Sequence, residues 1–257
     1  MLILNNIDKY YNQATVNEKC ILKDFDINVG TGDFLCIIGS NGSGKTTLLN
    51  IIFGNTQIDK GSIKFDKVEI SLHKTHKRYE NIGRVFQNPA LGTCPSMTVI
   101  ENLSMAENKG KKWTLSKAVT DQSRIKYSNM LKNLGLGLEN KLDEVVENLS
   151  GGQRQAISLI MATLSPIKLL ILDEHTAALD PKTAKIIMEL TDKMIRQKKL
   201  TAIMVTHNIL HALDYGNRII MMHEGNIVLD KSGEEKNKLE LDTILAKFNE
   251  ISLEFGN

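Results

Sequence analysis

A glycine-rich loop between a buried strand and a helix constrains the fold of this chain more than any other feature. Residues 34–38 form a continuous apolar run, which is typical of a strand buried on both faces. The run that follows fits the pattern G-x-x-x-x-G-K-[ST]: Gly39, Ser40, Asn41, Gly42, Ser43, Gly44, Lys45 and Thr46. Apolar residues recur at helical spacing from Thr47 onward. Because glycines let such a loop curl its N–H groups inward at a helix N-terminus, the sequence predicts a phosphate-binding unit.

Buried strands alternate with helices in the rest of the chain. Residues 169–172 and 202–205 are further apolar runs of strand length, and residues 156–164 have helical character. Such alternation indicates a parallel sheet. Residues 1–70 instead contain short strands and turns, and residues 98–147 show helical spacing interrupted by a polar, basic stretch. We expect the latter region to be a helical insertion in an α/β core.

Composition and charge exclude several classes of protein. The 257 residues carry a formal net charge of +2, with 42% hydrophobic and 24% charged residues, close to the average for soluble globular proteins. A mostly disordered chain is excluded, and the balanced charge gives no reason to expect nucleic acid as a partner. No apolar run approaches the roughly 20 residues that span a bilayer, and the start lacks the basic region of a signal peptide. Cys20, Cys36 and Cys94 have no metal or disulfide spacing, so we expect reduced thiols, with Cys36 packed inside a strand.

Two carboxylates end the apolar run 169–172. Asp173 and Glu174 therefore lie at the carboxyl end of a buried strand, where open α/β sheets bind ligands. Beside a phosphate loop, Asp173 would hold Mg²⁺ together with Thr46, and Glu174 would polarise an attacking water. The alternative is a pair of solvated acids that cap the next helix.

A second glycine-rich helix start precedes this strand. Its residues are Leu149, Ser150, Gly151, Gly152 and Gln153. Ser150 is a good N-cap, and the glycines expose backbone N–H groups, so this helix start can bind an anion as well. The alternative is an ordinary capped helix.

Together these motifs resemble the ATP-binding-cassette (ABC) ATPase family nearly end to end. Residues 39–46 resemble the Walker A motif, residues 149–153 match the LSGGQ signature, and residues 169–174 resemble Walker B with its catalytic glutamate. Four further residues resemble the family's D-loop aspartate, Q-loop glutamine, switch histidine and adenine-stacking aromatic, respectively Asp180, Gln87, His207 and Tyr11. Adjacent Tyr10 is an alternative for the last role.

The resemblance implies a set of site residues. ATP would be bound by Tyr11, Gly39, Ser40, Asn41, Gly42, Ser43, Gly44, Lys45, Thr46, Thr47 and Gln87. Catalysis would rest on Glu174, His207 and Lys45, and Mg²⁺ would be held by Thr46, Gln87 and Asp173. A second copy, joined head-to-tail, would contribute Ser150, Gly151, Gly152 and Gln153 to each site, with Asp180 in the D-loop.

The resemblance also implies a fold, partners and a location. We expect an α/β P-loop NTPase core with a mostly parallel sheet (residues 1–87 and 165–230, including an N-terminal antiparallel β subdomain), an inserted α-helical subdomain (88–164) and a C-terminal helix (231–257). The chain would form an ATP-dependent homodimer at the cytoplasmic face of the cell membrane. It would dock on a permease subunit, with a substrate-binding protein as a further partner, and no nucleic acid is expected.

One position departs from the family pattern. His175 follows Glu174 where the family usually has proline, and we expect it to shape the path to the D-loop rather than to act as a second base. Residues 175–180 and 221–225 resemble stand-alone ATPases of bacterial importers proposed for aromatic amino acids such as tryptophan. The alternatives are an exporter ATPase, a non-transport ABC ATPase and a P-loop kinase, the last of which gives residues 149–153 no role.

Overall fold

The computed structural model describes residues 1–112 and 117–254. Residues 113–116 of the expected helical subdomain and residues 255–257 of the expected C-terminal helix lie outside this described part. The described strands are β1 (Leu2–Tyr11), β2 (Lys19–Val29), β3 (Phe34–Gly39), β4 (Lys60–Phe65), β5 (Val68–Glu69), β6 (Ile82–Val85), β7 (Leu169–Asp173), β8 (Thr201–Val205), β9 (Arg218–His223) and β10 (Asn226–Ser232). The described α-helices are α1 (Lys45–Phe53), α2 (Thr75–Tyr79), α3 (Val99–Glu107), α4 (Asp121–Lys132), α5 (Gly151–Leu164), α6 (Pro181–Lys198), α7 (Ile209–Asp214), α8 (Gly233–Asn237) and α9 (Leu241–Glu254).

The chain divides into two compact units, the first formed by Met1–Tyr79 and Lys199–Asn257. In this unit β1 pairs antiparallel with β2 and β4, and β4 pairs antiparallel with β5. Strand β3 is parallel to both β8 and β9, whereas β10 is antiparallel to β9. Strands β3 and β8 are buried along their whole length, as their apolar runs predict. Cys36 on β3 is buried, and burial raises the pKa of its thiol to about 12, which fits a packing role.

The second unit is formed by Glu80–Lys198. Its strands β6 and β7 are parallel and in register from Ile82 opposite Leu169 to Val85 opposite Leu172. An apolar cluster packs α3, α4 and α5 together. Each of these helices begins at a capping box, in which the hydroxyl of Thr98, Thr120 or Ser150 accepts the N–H of the third helical residue. These caps fix where the helices begin.

The observed elements confirm the expected α/β class, with parallel strands, a separate antiparallel sheet and helices. Three details differ from the sequence-based expectation. The short helices α2 and α8 were not predicted, because they have too few residues for a helical period to be visible in the sequence. The last helix, α9, covers Leu241–Glu254, whereas the expected C-terminal helix covered 231–257. The finer subdomain boundaries stay a prediction. Over the described residues, every helix is too short or too polar to cross a bilayer.

Candidate nucleotide-binding site

The loop between β3 and α1 has the backbone geometry of an anion cradle. Gly39 has φ +151°, and a Cβ at this position would lie 2.1 Å from the carbonyl oxygen of Met222 on β9, so only glycine fits. Gly44 occupies the N-cap of α1 in a left-handed conformation and, unlike serine or aspartate, places no side-chain acceptor on the first N–H groups of the helix. The helix start therefore presents its N–H groups and its dipole to an incoming anion.

Lys45 is folded into this loop. Its side chain is buried, and Nζ donates to the carbonyl oxygens of Gly39 and Ser40 at 2.9 and 2.8 Å and to Ser43 Oγ at 3.3 Å. The ammonium thus occupies the centre of the curl formed by the loop. Thr46, the next residue, is exposed.

His207 lies at the same edge of the sheet as this loop. Strands β3 and β8 are parallel with Ile37 opposite Val205, so the residues that follow each strand meet at one edge. His207 is exposed between β8 and α7. Its neighbour Asn208 accepts the N–H of His211 and caps α7, which fixes the turn that carries the histidine.

A cavity of about 640 Å³ lies beside the phosphate loop in the first unit. Its lining includes Lys19 and Cys20 on β2, Ser43 of the loop, and His223 and Glu224 at the β9–β10 turn. The cavity is therefore large enough for a small organic molecule and is open to the loop residues.

The two candidate adenine-stacking tyrosines differ in exposure. The side chain of Tyr11 is 40% exposed, and Lys9 Nζ lies 5.5 Å from its ring centroid. Tyr10 is half-buried opposite Cys20, and its N–H donates to Asp59 Oδ2 at 2.7 Å. Tyr11 is therefore the more exposed of the two tyrosines.

In the second unit, the acidic residues and Gln87 lie at one end of the β6–β7 pair. Since Val85 is opposite Leu172 in a parallel pair, Gln87 and Asp173–Glu174 follow adjacent strand ends. Gln87 is exposed, and both acids are partly exposed. The Phe86 carbonyl oxygen accepts a hydrogen bond of 3.2 Å from Gln155 on α5, which ties this strand end to the signature helix.

Sequence reasoning missed a buried ion pair at this strand end. Arg84 on β6 donates from Nη2 to Asp173 Oδ2 at 2.6 Å. The side chains are 4% and 14% exposed. A charged residue inside an otherwise apolar strand was the signal that could have found this pair, because buried charges are paired.

The turn after β7 is strained, and His175 anchors it. Glu174 has φ +47°, a left-handed conformation that is uncommon outside glycine. His175 is buried, and its Nε2 lies 3.1 Å from Thr191 Oγ1 on α6. Because the Thr191 hydroxyl donates to the Ile187 carbonyl oxygen at 2.7 Å, its oxygen accepts the Nε2–H of His175. This hydrogen bond holds His175, the residue after Glu174, against α6, and its role in shaping the path to the D-loop stays a prediction.

Asp180 and the signature residues form two further helix starts. Asp180 Oδ1 accepts the N–H of Thr183 at 3.1 Å at the start of α6, and this bonding to Thr183 lowers the pKa of Asp180. Ser150 Oγ accepts the N–H of Gln153 at 3.3 Å. A Cβ on Gly152 would lie 2.2 Å from Thr183 Cγ2, so any larger residue there requires the Thr183 side chain to shift. Both motifs therefore have structural reasons for their residue types.

Each unit by itself offers oxygen donors of the kind that Mg²⁺ prefers. Thr46 supplies a hydroxyl in the first unit, and Gln87 and Asp173 supply an amide and a carboxylate oxygen in the second. Mg²⁺ also keeps several waters and phosphate oxygens as ligands, so a site with few protein donors suits it. Within the described ranges, no group of three or more His, Cys, Asp or Glu residues gathers to form a self-sufficient metal site.

The parallel strands and the glycine-lysine loop define a P-loop NTPase. The ABC transporter family profile matches residues 22–177. The chain belongs to the ABC transporter family, and it is an ATPase of that family.

Known proteins of this family are similar over most of the chain. The tyrosine transport ATP-binding protein of Clostridioides difficile is 48% identical over 248 residues, covering 96% of this chain and 98% of that protein. The spermidine/putrescine import ATP-binding protein PotA of Aggregatibacter actinomycetemcomitans is 33% identical over 95% of this chain, which spans 61% of the longer relative. A dimeric ATP-binding cassette in a post-hydrolysis state, bound to ADP and Pi, is 29% identical with a TM-score of 0.77, covering 90% of this chain and 98% of that one.

Proposed function

We propose that this chain is the ATP-hydrolysing subunit of an importer for an aromatic amino acid. The observation that carries the proposal is the 48% identity to a tyrosine transport ATP-binding protein across nearly the full length of both chains. The resemblance of residues 175–180 and 221–225 to ATPases of importers proposed for tryptophan points to the same class of solute. An exporter or a non-transport ATPase has no comparable support.

The first unit binds the nucleotide in this proposal. The N–H groups of the Gly39–Gly44 loop donate to phosphate oxygens, and Lys45 exchanges its carbonyl contacts for the β- and γ-phosphates. The ring of Tyr11 stacks on adenine, since it is the more exposed of the two tyrosines. Binding removes water from the charged phosphate groups, which costs free energy. This cost is offset because the hydrogen-bond donors of the loop are already oriented before the nucleotide binds.

The residues at the strand ends carry out hydrolysis. Thr46, Gln87 and Asp173 would hold Mg²⁺, which neutralises phosphate charge when bound. Glu174 orients the attacking water and accepts a proton from it. His207 acts with Glu174 to place this water in line with the γ-phosphate. The strained backbone of Glu174 and the anchor at His175 restrict the directions in which this carboxylate can point.

The signature helix completes the site of a second copy. The N–H of Gln153 is occupied by Ser150 Oγ, which leaves the N–H of exposed Gly151 and the Ser150 hydroxyl as donors for an outside acceptor, whereas Gly152 is buried. In a head-to-tail pair these donors would meet the γ-phosphate held by the partner's P-loop. ATP then stabilises the dimer, and hydrolysis releases it.

The membrane partner would dock near the Gln87 loop. The 3-10 helix Pro89–Leu91 follows this loop, and the Leu91 side chain is 69% exposed. We propose that a permease helix packs here and against residues 88–147, at the cytoplasmic face of the membrane. An apolar side chain exposed beside a nucleotide-sensing glutamine can transmit a change at the site to a partner helix.

Reconstitution tests this function. The chain is purified together with a candidate permease and placed in proteoliposomes, and ATP-driven uptake of labelled tyrosine and tryptophan is measured. We expect uptake of at least one of them, and none with Lys45→Ala, which removes the phosphate ligand. Uptake of neither, with robust transport of a polyamine, phosphonate or sulfate instead, would refute the aromatic amino-acid assignment.

A further inference from the structure

We propose that Arg84 is a positioning residue for Asp173: its guanidinium holds one carboxylate oxygen so that the other faces the Mg²⁺–nucleotide. This inference rests on the proposed role of Asp173 in holding Mg²⁺. Nothing in the family motifs identified in the sequence assigns a role to position 84.

The contact is short, charged and shielded from solvent. Arg84 Nη2 lies 2.6 Å from Asp173 Oδ2, and the two side chains are 4% and 14% exposed. Charge-assisted hydrogen bonds of this length are stronger than neutral ones, and low exposure reduces screening by salt. The pair is therefore strong enough to set the direction of the carboxylate before any ligand arrives.

The guanidinium is itself held in place. Its carbon atom Cζ lies 4.7 Å from the ring centroid of Phe86. Strand β6 is buried at each of its positions, so the Arg84 side chain is surrounded by packed protein atoms rather than by solvent. A fixed cation beside a carboxylate restricts rotation of that carboxylate about χ1 and χ2.

The geometry divides the acceptor sites of the carboxylate. An ionised Asp has two oxygens and about four lone-pair directions. Arg84 contacts Oδ2, so in this proposal Oδ1 is the oxygen that would contact a metal or its bound water. Partners in the second shell of metal ligands typically change metal affinity by 10- to 100-fold when removed.

Two physical effects of Arg84 on Mg²⁺ binding have opposite signs. Positioning of the carboxylate favours Mg²⁺, whereas the positive charge of the guanidinium opposes it. We infer that positioning is the larger effect, because a buried carboxylate that loses its partner rearranges toward any other donor. A variant that removes the charge therefore tests the proposal: its Mg²⁺ concentration at half-saturation rises if positioning is the larger effect and falls if charge repulsion is.

The test uses Arg84→Met and Arg84→Lys. Binding of a fluorescent ATP analogue is titrated with Mg²⁺, and ATPase activity is measured over the same Mg²⁺ range. We expect Arg84→Met to raise the Mg²⁺ concentration at half-saturation about tenfold, with binding of the analogue in the absence of Mg²⁺ unchanged. Arg84→Lys keeps the charge without the planar fork, so its shift should have the same direction and be smaller.

A surface pair provides the matched control. Arg124 contacts both carboxylate oxygens of Asp143 at 2.7 and 2.8 Å, with side chains 42% and 72% exposed. Arg124→Met removes an Arg–Asp pair from the same unit without touching the strand end, so its Mg²⁺ dependence should match that of the unmodified protein. An unchanged or lower Mg²⁺ requirement in Arg84→Met would overturn the proposal. If Arg84→Met does not fold by circular dichroism, the direction of the shift in Arg84→Lys decides in its place.

A double-mutant cycle separates this inference from the proposed function. If Arg84 acts through Asp173, Arg84→Met has no further effect on Mg²⁺ dependence in an Asp173→Ala background. An additive effect would assign Arg84 a role independent of Asp173 and contradict the inference alone. If Asp173→Ala by itself leaves the Mg²⁺ dependence unchanged, the metal role of Asp173 is wrong and the inference falls with it.

Discussion

His175 shows how one buried side chain can hold the turn that follows a buried strand. A proline at this position would restrict the backbone through its ring, whereas His175 does so through a buried hydrogen bond to Thr191. The left-handed conformation of Glu174 immediately before it makes such an anchor necessary, since strained backbone persists only where its surroundings fix it.

We expect His175→Ala to destabilise the protein by about 2–3 kcal/mol, because it leaves a cavity and removes the donor to Thr191. Urea denaturation followed by circular dichroism measures the free energy of unfolding. His76→Ala, at an exposed position, is the control and should change it by less than about 0.5 kcal/mol. Equal stability of the two variants would show that the buried contact has no structural role.

Among the helices, α1 has an unusual C-terminal cap. The buried guanidinium of Arg78 donates from Nη1 to the carbonyl oxygens of Ile51 and Ile52 at 2.7 and 3.1 Å, in the last turn of α1. Its Nη2 donates to the carbonyl oxygens of Ile70 and Ser71 at 2.7 and 2.9 Å. A cation at this end also complements the helix dipole, and burial lowers the pKa of Arg78 from its ordinary value. The helix that begins at the phosphate loop is thus fixed at its far end.

Arg78→Met removes these donors: the carbonyl oxygens of Ile51 and Ile70 keep the N–H groups of Gly54 and His73, whereas those of Ile52 and Ser71 lose the guanidinium. We expect a loss of about 3 kcal/mol in the free energy of unfolding and faster amide hydrogen exchange in α1. Lys77→Met, at the exposed neighbouring position, is the matched control and should preserve both quantities. Unchanged exchange in α1 of a folded Arg78→Met protein would contradict this account of the cap.

Some strands could be predicted from the local sequence, whereas contacts between residues far apart in the sequence could not. The strands β3, β7 and β8 were predicted from apolar runs, because burial on both faces leaves its mark in consecutive residues. The contacts of Arg84 with Asp173 and of Arg78 with α1 join segments that are far apart in sequence, so no local periodic pattern predicts them. The choice between Tyr10 and Tyr11 stayed open because register shifts in β1 near Lys9 and Tyr10 break the alternation of faces.

For the whole protein, the proposed mechanism requires that two copies each contribute one set of donors to a shared nucleotide site. The P-loop supplies donors at the start of α1, and the signature supplies a second set at the start of α5. In the proposed function the first set binds the β- and γ-phosphates of a nucleotide. In the second set Gly151 is exposed beside the N-cap Ser150, whereas Gly152 is buried, and the proposed dimer gives the exposed donors an acceptor on the partner's nucleotide.

Mixing two inactive variants tests this claim most directly. Lys45→Ala removes the phosphate ligand and keeps the signature. Ser150→Asp keeps the N-cap, since aspartate caps as well as serine, but places a negative charge against the γ-phosphate. Ser150→Thr preserves both the cap and the hydroxyl and is the control that should retain ATPase activity. ATP hydrolysis is measured for each variant alone and for an equimolar mixture.

In a head-to-tail dimer, the mixed pair contains one site with the intact Lys45 loop of one copy and the intact signature of the other. We therefore predict ATP hydrolysis in the mixture that clearly exceeds the sum of the two variants measured alone. A mixture no more active than that sum, formed under conditions where the two variants are shown by light scattering to associate, would contradict a site shared between two copies.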